Sequence, residues 1–265
     1  METKQMQNTT IVSKPGCQGA NDTWQYGQVN SPALNVRKQP SLSAIRWDGY
    51  WPIRRIILVK PAAEEWYETL YRGEKAFISA KYTHLLPDQV SANIVERMNF
   101  MAVPELGRDN SIYFNGYGGK WCHRFADWLT MNAGMPKERI PNVGNCGWGI
   151  VWFVQHQRFY FKNASHKLRM IRAYPEIRSL SSALTDLEAS YLPVPGDYIY
   201  FRWNNSSANV NHVGIVRSVS SQALTTWEGN SGGKVVTREF LLNDSRIVGF
   251  GNPDYLSPLP EQNNL

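Results

Sequence analysis

Several common protein classes leave no trace in this 265-residue chain. It has only three cysteines, Cys17, Cys122 and Cys146. An odd number spread over a long sequence implies no disulfide framework. Its five histidines form no His/Cys/Asp group at metal-ligand spacing, so no metal centre and no cofactor are expected. The longest apolar stretches, such as "IILV" at Ile56 to Val59, are far too short to cross a bilayer, so no transmembrane segment is expected. The opening "METKQMQNTTIVSK" lacks the apolar run of a Sec signal peptide, so synthesis in the cytoplasm and export by another route are expected. Charge asymmetry is missing too. Residues 1–108 carry 13 Lys+Arg against 10 Asp+Glu, and residues 109–265 carry 15 against 12, for a formal net charge of +6. With no basic tail or stripe, a nucleic-acid partner is not expected. A diffuse positive field suits any polyanion, an anionic cell wall included, and selects none.

What is present is aromatic: ten Trp and an ordinary apolar share are enough for a sizeable core. Residues 1–44, rich in Gln, Asn, Ser, Thr, Pro and Gly, read as a flexible arm. Residues 45–108 read as a mainly helical accessory region. After one strand-like run at "WPIRRIILVKP", Pro61 suits a helix start and Trp66 and Leu70 share a face at helical spacing. Val90, Ile94 and Met98 recur every fourth residue in a second helix candidate. From residue 109 the texture changes. "KWCHRFADWLTMNAGMP" is helical, with Trp121, Phe125, Trp128 and Leu129 on one stripe and stop signals at Asn132, Gly134 and Pro136. The stretch from Arg158 to Leu187 reads as helical in pieces. After "LPVPGD" come short β-runs, "DYIYFRW", "HVGIVRSV", "ALTTWE", "KVVTREF" and "RIVGF". A helix followed by antiparallel strands is α+β. Residues 256–265 read as a tail.

The chemistry starts at Cys122. It sits in the first turn of its helix, where the dipole favours a thiolate, and Gly116, Gly118 and Gly119 leave room beside it. His123 points about 100° away on the same helix, so it is a poor base for that sulfur. His84, His156 and His166 lie in loops or mixed segments. His212 begins a clean strand, which holds it rigidly and leaves one end open. A base needs an orienting partner. If the strands from His212 and to "TTWEGN" form a hairpin with a three-residue loop, one register sets His212 opposite Glu228 and the other opposite Asn230. Cys146, in "GNCGWG", is a rival thiol without an immediate helix start. "GNSGGKV", Gly229 to Val235, has the wrong spacing for a phosphate loop and a strand after it.

Four pieces in order, "WCHRFADW", "PVPGDYIYF", "NHVGIV" and "WEGN", with "GFGNP" near the end, resemble the CHAP family, the cysteine- and histidine-dependent amidohydrolases/peptidases of the NlpC/P60, papain-like superfamily. The resemblance runs from about Tyr113 to Tyr255, within a catalytic region set at 109–255. It implies a papain-like α+β domain in which a Cys-bearing helix packs on an antiparallel sheet. It also implies Cys122 as nucleophile, His212 as base, and Glu228 as third member with Asn230 near it. Gly196 and Asp197 look structural, shaping the turn into a strand. Where family members often carry Gln or an acidic residue at or just before the position preceding the Cys, this chain has Trp121 and Lys120. The second oxyanion donor is therefore sought among Tyr113, Asn115 and Tyr117, with Trp121 as a substrate contact. The implied substrate is peptidoglycan, at its stem peptides, cleaved as an amidase or an endopeptidase. With no Sec signal, the favoured setting is an antibacterial effector delivered by a type VI-like secretion system. It would act in the periplasm or wall of a target cell and have an immunity protein and a secretion-apparatus component as partners. The alternatives are a phage endolysin, a papain-like protease acting on a protein, and an inactive wall-binding module.

Overall fold

A computed structural model describes residues 23–109, 119–178, 191–203 and 209–255. The first half is β, which corrects two expectations. Within the supposed arm lie β1 (Gln25–Val29) and β2 (Ala33–Arg37), and only residues 1–22 of it fall outside the described residues. Within the supposed helical region lie β3 (Arg46–Pro52), β4 (Ile56–Ala63), β5 (Trp66–Tyr71), β6 (Glu74–Ser79) and β7 (Thr83–Leu85). The seven strands form one antiparallel sheet in the order β3-β2-β6-β5-β4-β1-β7. The misreading has a physical source. A four-residue spacing such as Trp66 and Leu70 is shared by one face of a helix and one face of a strand. The turn decides between them. Arg72 and Gly73 both have positive φ, 55° and 75°, and close a two-residue hairpin in which Tyr71 pairs with Glu74. Pro61 sits within β4 opposite Tyr67 instead of opening a helix. Both faces of this sheet are covered: Tyr71, Val59 and Ile78 pack in its own small core, whereas Tyr26, Ile56, Leu58 and Leu70 turn to the main core.

The helices follow: α1 (Ile94–Ala102), α2 (Cys122–Asn132), α3 (Cys146–Gln155), α4 (Ala164–Ala173) and α5 (Pro175–Arg178). The second helix candidate is therefore α1, which starts at Ile94 under an Asn93 cap and leaves Val90 outside. The second sheet is six-stranded and antiparallel, ordered β12-β11-β10-β9-β13-β8. Its strands are β8 (Phe159–Phe161), β9 (Tyr198–Phe201), β10 (His212–Val219), β11 (Ala223–Ser231), β12 (Lys234–Leu241) and β13 (Ile247–Gly251). Period-two alternation divides β9 between its faces. Tyr198 and Tyr200 face the helices, and Ile199 and Phe201 face a separate cluster with Phe240 and Phe250. The "GNSGGKV" glycines close the β11–β12 hairpin, Gly232 and Gly233 at φ 63° and 78°. The 256–265 tail lies outside the described residues.

Buried polar contacts tie the first sheet to the helical layer and the second sheet. The Arg55 guanidinium meets Glu105 in two hydrogen bonds of 3.2 and 2.9 Å, with both side chains buried. The same guanidinium lies 4.4 Å from the Trp128 ring of α2. Val235 of β12 exchanges backbone hydrogen bonds with Gly107 and Arg108, and the Trp227 indole donates to Asn99 of α1 at 2.7 Å.

Candidate active site

Cys122 is the first residue of α2. That helix forms because Phe125, Ala126 and Leu129, all 0% exposed, give it an apolar stripe toward the core. It ends where Gly134 takes a φ of 102°. At its start Trp121 precedes the first turn without a side-chain cap, so the opening backbone N–H groups and the positive end of the dipole face the Cys122 region.

His212 is the first residue of β10, opposite Phe201 of β9. Its neighbour Asn211 clamps the strand entry: its side chain accepts from the Trp203 N–H at 2.8 Å and donates to the Trp203 carbonyl at 3.2 Å. The His212 Nε2 is 2.8 Å from Glu228 Oε2. Glu228 is fully buried, and its other oxygen accepts from the Thr226 hydroxyl at 2.8 Å. The His212 ring lies close enough to the Cys122 sulfur for its charge to act on the thiol. With Nε2 held by the carboxylate, Nδ1 is the nitrogen left for the sulfur. The rings of Trp203 and Phe201 flank the imidazole at 5.7 and 6.1 Å.

The hairpin that brings Glu228 here differs from the expected three-residue loop. The Ser220 N–H donates to the Ala223 carbonyl at 2.8 Å across a two-residue Ser221–Gln222 link, with Val219 paired to Leu224. That odd register would put the wrong face toward His212. A β-bulge between Val216 and Ser218 shifts it by one, so that Gly214 pairs with Glu228. Glu228 therefore reaches His212 diagonally, over Gly214. A Cβ at position 214 would stand 3.0 Å from both Glu228 Cγ and the Trp227 carbonyl oxygen, so the absent side chain is what opens the path. Asn230 takes φ 57° in a second irregularity between Glu228 and Ser231. It is Glu228, and not Asn230, that takes the ring nitrogen.

The electrostatics favour separated charge. A hydrogen bond from Cys146, followed by the hydrogen bond and charge of His212, holds the Cys122 thiol well below its ordinary range against the opposing effect of burial. For His212, burial opposes the cation but is outweighed by hydrogen bonds to Cys122 and Glu228, and the imidazole is pushed up to about 9. Between those two titrations the pair is a thiolate and an imidazolium.

Two expectations, on Trp121 and Cys146, are revised by position, and His123 is fully buried, with Nδ1 2.9 Å from Asp127 and Nε2 2.9 Å from the Tyr200 hydroxyl. Asp127 also binds the Val143 N–H and the Tyr198 hydroxyl, so this network braces α2 on the sheet. Trp121 is 3% exposed and packs edge-on to Phe125 under Gly229, which makes it a core anchor and not a cleft wall. Cys146 does begin a helix, α3, capped by the Asn145 side chain. Tyr113, Asn115 and Tyr117 lie outside the described residues. Asp197 does shape its turn, accepting from the Val194 N–H at 2.9 Å, Tyr191 at 2.7 Å and Asn252 at 2.7 Å. Burial raises its carboxyl to about 6. A cavity of about 560 Å³, bounded by Arg124, Trp128 and Met131 of α2 and by Trp47 and Arg72 of the first sheet, lies on the opposite face of α2 from Cys122 and is not the thiol's cleft.

A thiol on a helix tip, an imidazole on a strand and a buried carboxylate behind it, on an α+β fold, are the groups that a thiol hydrolase uses. Residues 112–230 match the family model described as the CHAP domain. Among solved structures the chain is similar to NlpC2 from Trichomonas vaginalis, at 16% identity over 87% of this chain and 73% of that one, TM-score 0.34. It is similar also to NlpC1 from the same organism, at 18% identity over 87% and 69%, TM-score 0.32. An NlpC/P60 family protein from Bacillus cereus ATCC 10987 aligns at 13% identity over 89% of this chain and 63% of that one, TM-score 0.36. No curated protein matches the chain. Over residues 112–230 the chain is similar to the CHAP domain, and its activity class is that of a cysteine amidohydrolase/peptidase.

Proposed function

We propose that Cys122, His212 and Glu228 hydrolyse an amide bond of peptidoglycan, either the sugar–peptide amide or a bond within the stem peptide. A CHAP domain implies that substrate class. The observation that carries the roles is the buried His212 ring held 2.8 Å from the unexposed Glu228 carboxylate, with its charge acting on the Cys122 thiol at the tip of α2. His212 takes the Cys122 proton, and the thiolate attacks the amide carbonyl. The Cys122 backbone N–H, at the start of α2, donates to the oxyanion in this reading, an interaction typically worth about 3 kcal/mol. The imidazolium then protonates the leaving amine, and water assisted by His212 releases the thioester. Glu228 keeps the ring oriented and its cation favourable throughout. Digestion of purified peptidoglycan by wild type and Cys122→Ala, with mass spectrometry of the products, tests this. New amine or peptide termini with wild type alone are expected, and intact muropeptides in both samples would reject it.

Peptidoglycan lies outside the cytoplasmic membrane, so we place the action in the periplasm or wall of a target bacterium. We favour delivery as an antibacterial effector through a type VI-like apparatus, restrained in the producer by an immunity protein. The net charge of +6 suits an anionic wall. Expression directed to the periplasm should arrest growth, and the same chain held in the cytoplasm should not. Equal toxicity in both compartments would point to a protein substrate instead.

A further inference from the structure

Beside the reacting sulfur stands a second thiol that the mechanism does not use. Cys146 Sγ is 3.7 Å from Cys122 Sγ, both are free thiols, and both are buried in the main core cluster. Each is the first residue of its helix, α2 for Cys122 and α3 for Cys146, so two positive helix ends converge on one sulfur pair. Asn145 satisfies the N–H groups of Gly147 and Trp148 at 2.8 and 3.2 Å, which anchors the start of α3 and with it the Cys146 position. Two sulfurs this close do not both ionise readily. The surroundings choose between them. His212 adjoins Cys122. At Cys146 the charge of Asp127 opposes an anion and that of Lys120 favours it. His123 adds its field on the Cys122 side.

We propose that Cys146 is a positioning residue for the nucleophile: its S–H donates a hydrogen bond to the Cys122 thiolate and holds the sulfur beside His212. Cys146 thereby stays protonated, and burial together with the Cys122 hydrogen bond keeps its thiol well above the ordinary range. This rests on Cys122 being the reactive thiol, and it is separable from the identity of the substrate.

The test needs no peptidoglycan. Alkylation of each cysteine by iodoacetamide is followed against pH by peptide mass, with Cys17 as internal reference, in wild type, Cys146→Ala and Cys146→Ser. A sulfhydryl is a weak donor, but one bonded to an anion, so loss of it in Cys146→Ala should slow Cys122 alkylation near neutral pH by roughly threefold to tenfold and move its midpoint upward. Cys146→Ser, which keeps a donor, should recover part of that loss. Thermal melts confirm that both variants fold. An unchanged midpoint in Cys146→Ala, or equal behaviour of Ala and Ser, would overturn the donor role. Adjacency has its own check. With diamide, the two thiols lose two protons and two electrons, one S–S bond forms, and diamide becomes its hydrazine. A peptide linking Cys122 to Cys146 is expected, and its absence would overturn the proposal. A Cys122 no more reactive than Cys17 would instead strike at the nucleophile assignment itself.

Discussion

Replacing Glu228 by Gln tests the site at its most buried point. The shape is kept and the charge removed. The Gln oxygen still accepts from His212 Nε2, and its amide faces Thr226, whose hydroxyl has a second acceptor in the Arg238 carbonyl at 3.4 Å. The fold should therefore tolerate the change. A hydrogen bond to a charged group is worth about 1.5–3 kcal/mol, and each pKa unit corresponds to about 1.4 kcal/mol. Losing the carboxylate should then lower the His212 titration from about 9 by roughly one to two units. A raised imidazole loses its proton as pH climbs through its folded value. The imidazolium that protonates the leaving amine thus disappears from the alkaline side. The descending limb of kcat/KM, measured on soluble muropeptides, should move down by that amount. At pH ~8.5 the rate should fall about tenfold, and at pH ~6.5 by less than about threefold. The same sign governs stability: the contribution of charged His212 is full below pH ~6.5 and is lost toward about 9, so wild type should melt lower across that window and Glu228→Gln should show less of the decline. If the two alkaline limbs coincide, Glu228 does not set the His212 charge and the reasoning fails.

Gly214→Ala places a methyl 3.0 Å from Glu228 Cγ and from a carbonyl oxygen that cannot withdraw. It should cost at least about tenfold in kcat/KM with a stability loss of only about 1–3 kcal/mol, and wild-type kinetics would contradict the diagonal path of Glu228. Asp197→Ala strands the Val194 N–H, the Tyr191 hydroxyl and the Asn252 amide. A loss of about 3 kcal/mol in urea unfolding is expected, and a change under ~0.5 kcal/mol would show that water replaces the carboxylate. Glu105→Ala leaves the Arg55 guanidinium buried without its bidentate partner. It should lower stability by about 3–5 kcal/mol, whereas an unchanged melting temperature would mean that the buried pair adds no net stability.

The legible parts of the chain were those where local chemistry and tertiary role coincide. The Cys122 helix start, the His212 strand start, the Pro-Gly-Asp turn and the β-runs after it are set by neighbours within a few residues, and the elements begin and end close to where those residues say. The first sheet was misread because strands covered on both faces show no clean alternation, and because Trp66 and Leu70 fit helix and strand spacing alike. The start of α3 at Cys146 was missed although Asn145, a common capping residue, stands directly before it.

Sequence by itself determined which residues carry reactive groups and which stand at the ends of elements, because caps, turns and alternation are local properties. Tertiary structure alone decided which of those groups meet. The choice of Glu228 over Asn230 came from a bulge at Arg217 and the bare Cα of Gly214, and the Cys122–Cys146 pairing came from two helices 24 residues apart docking tip to tip. Such convergence depends on register and packing across distant segments, which no short window of residues specifies.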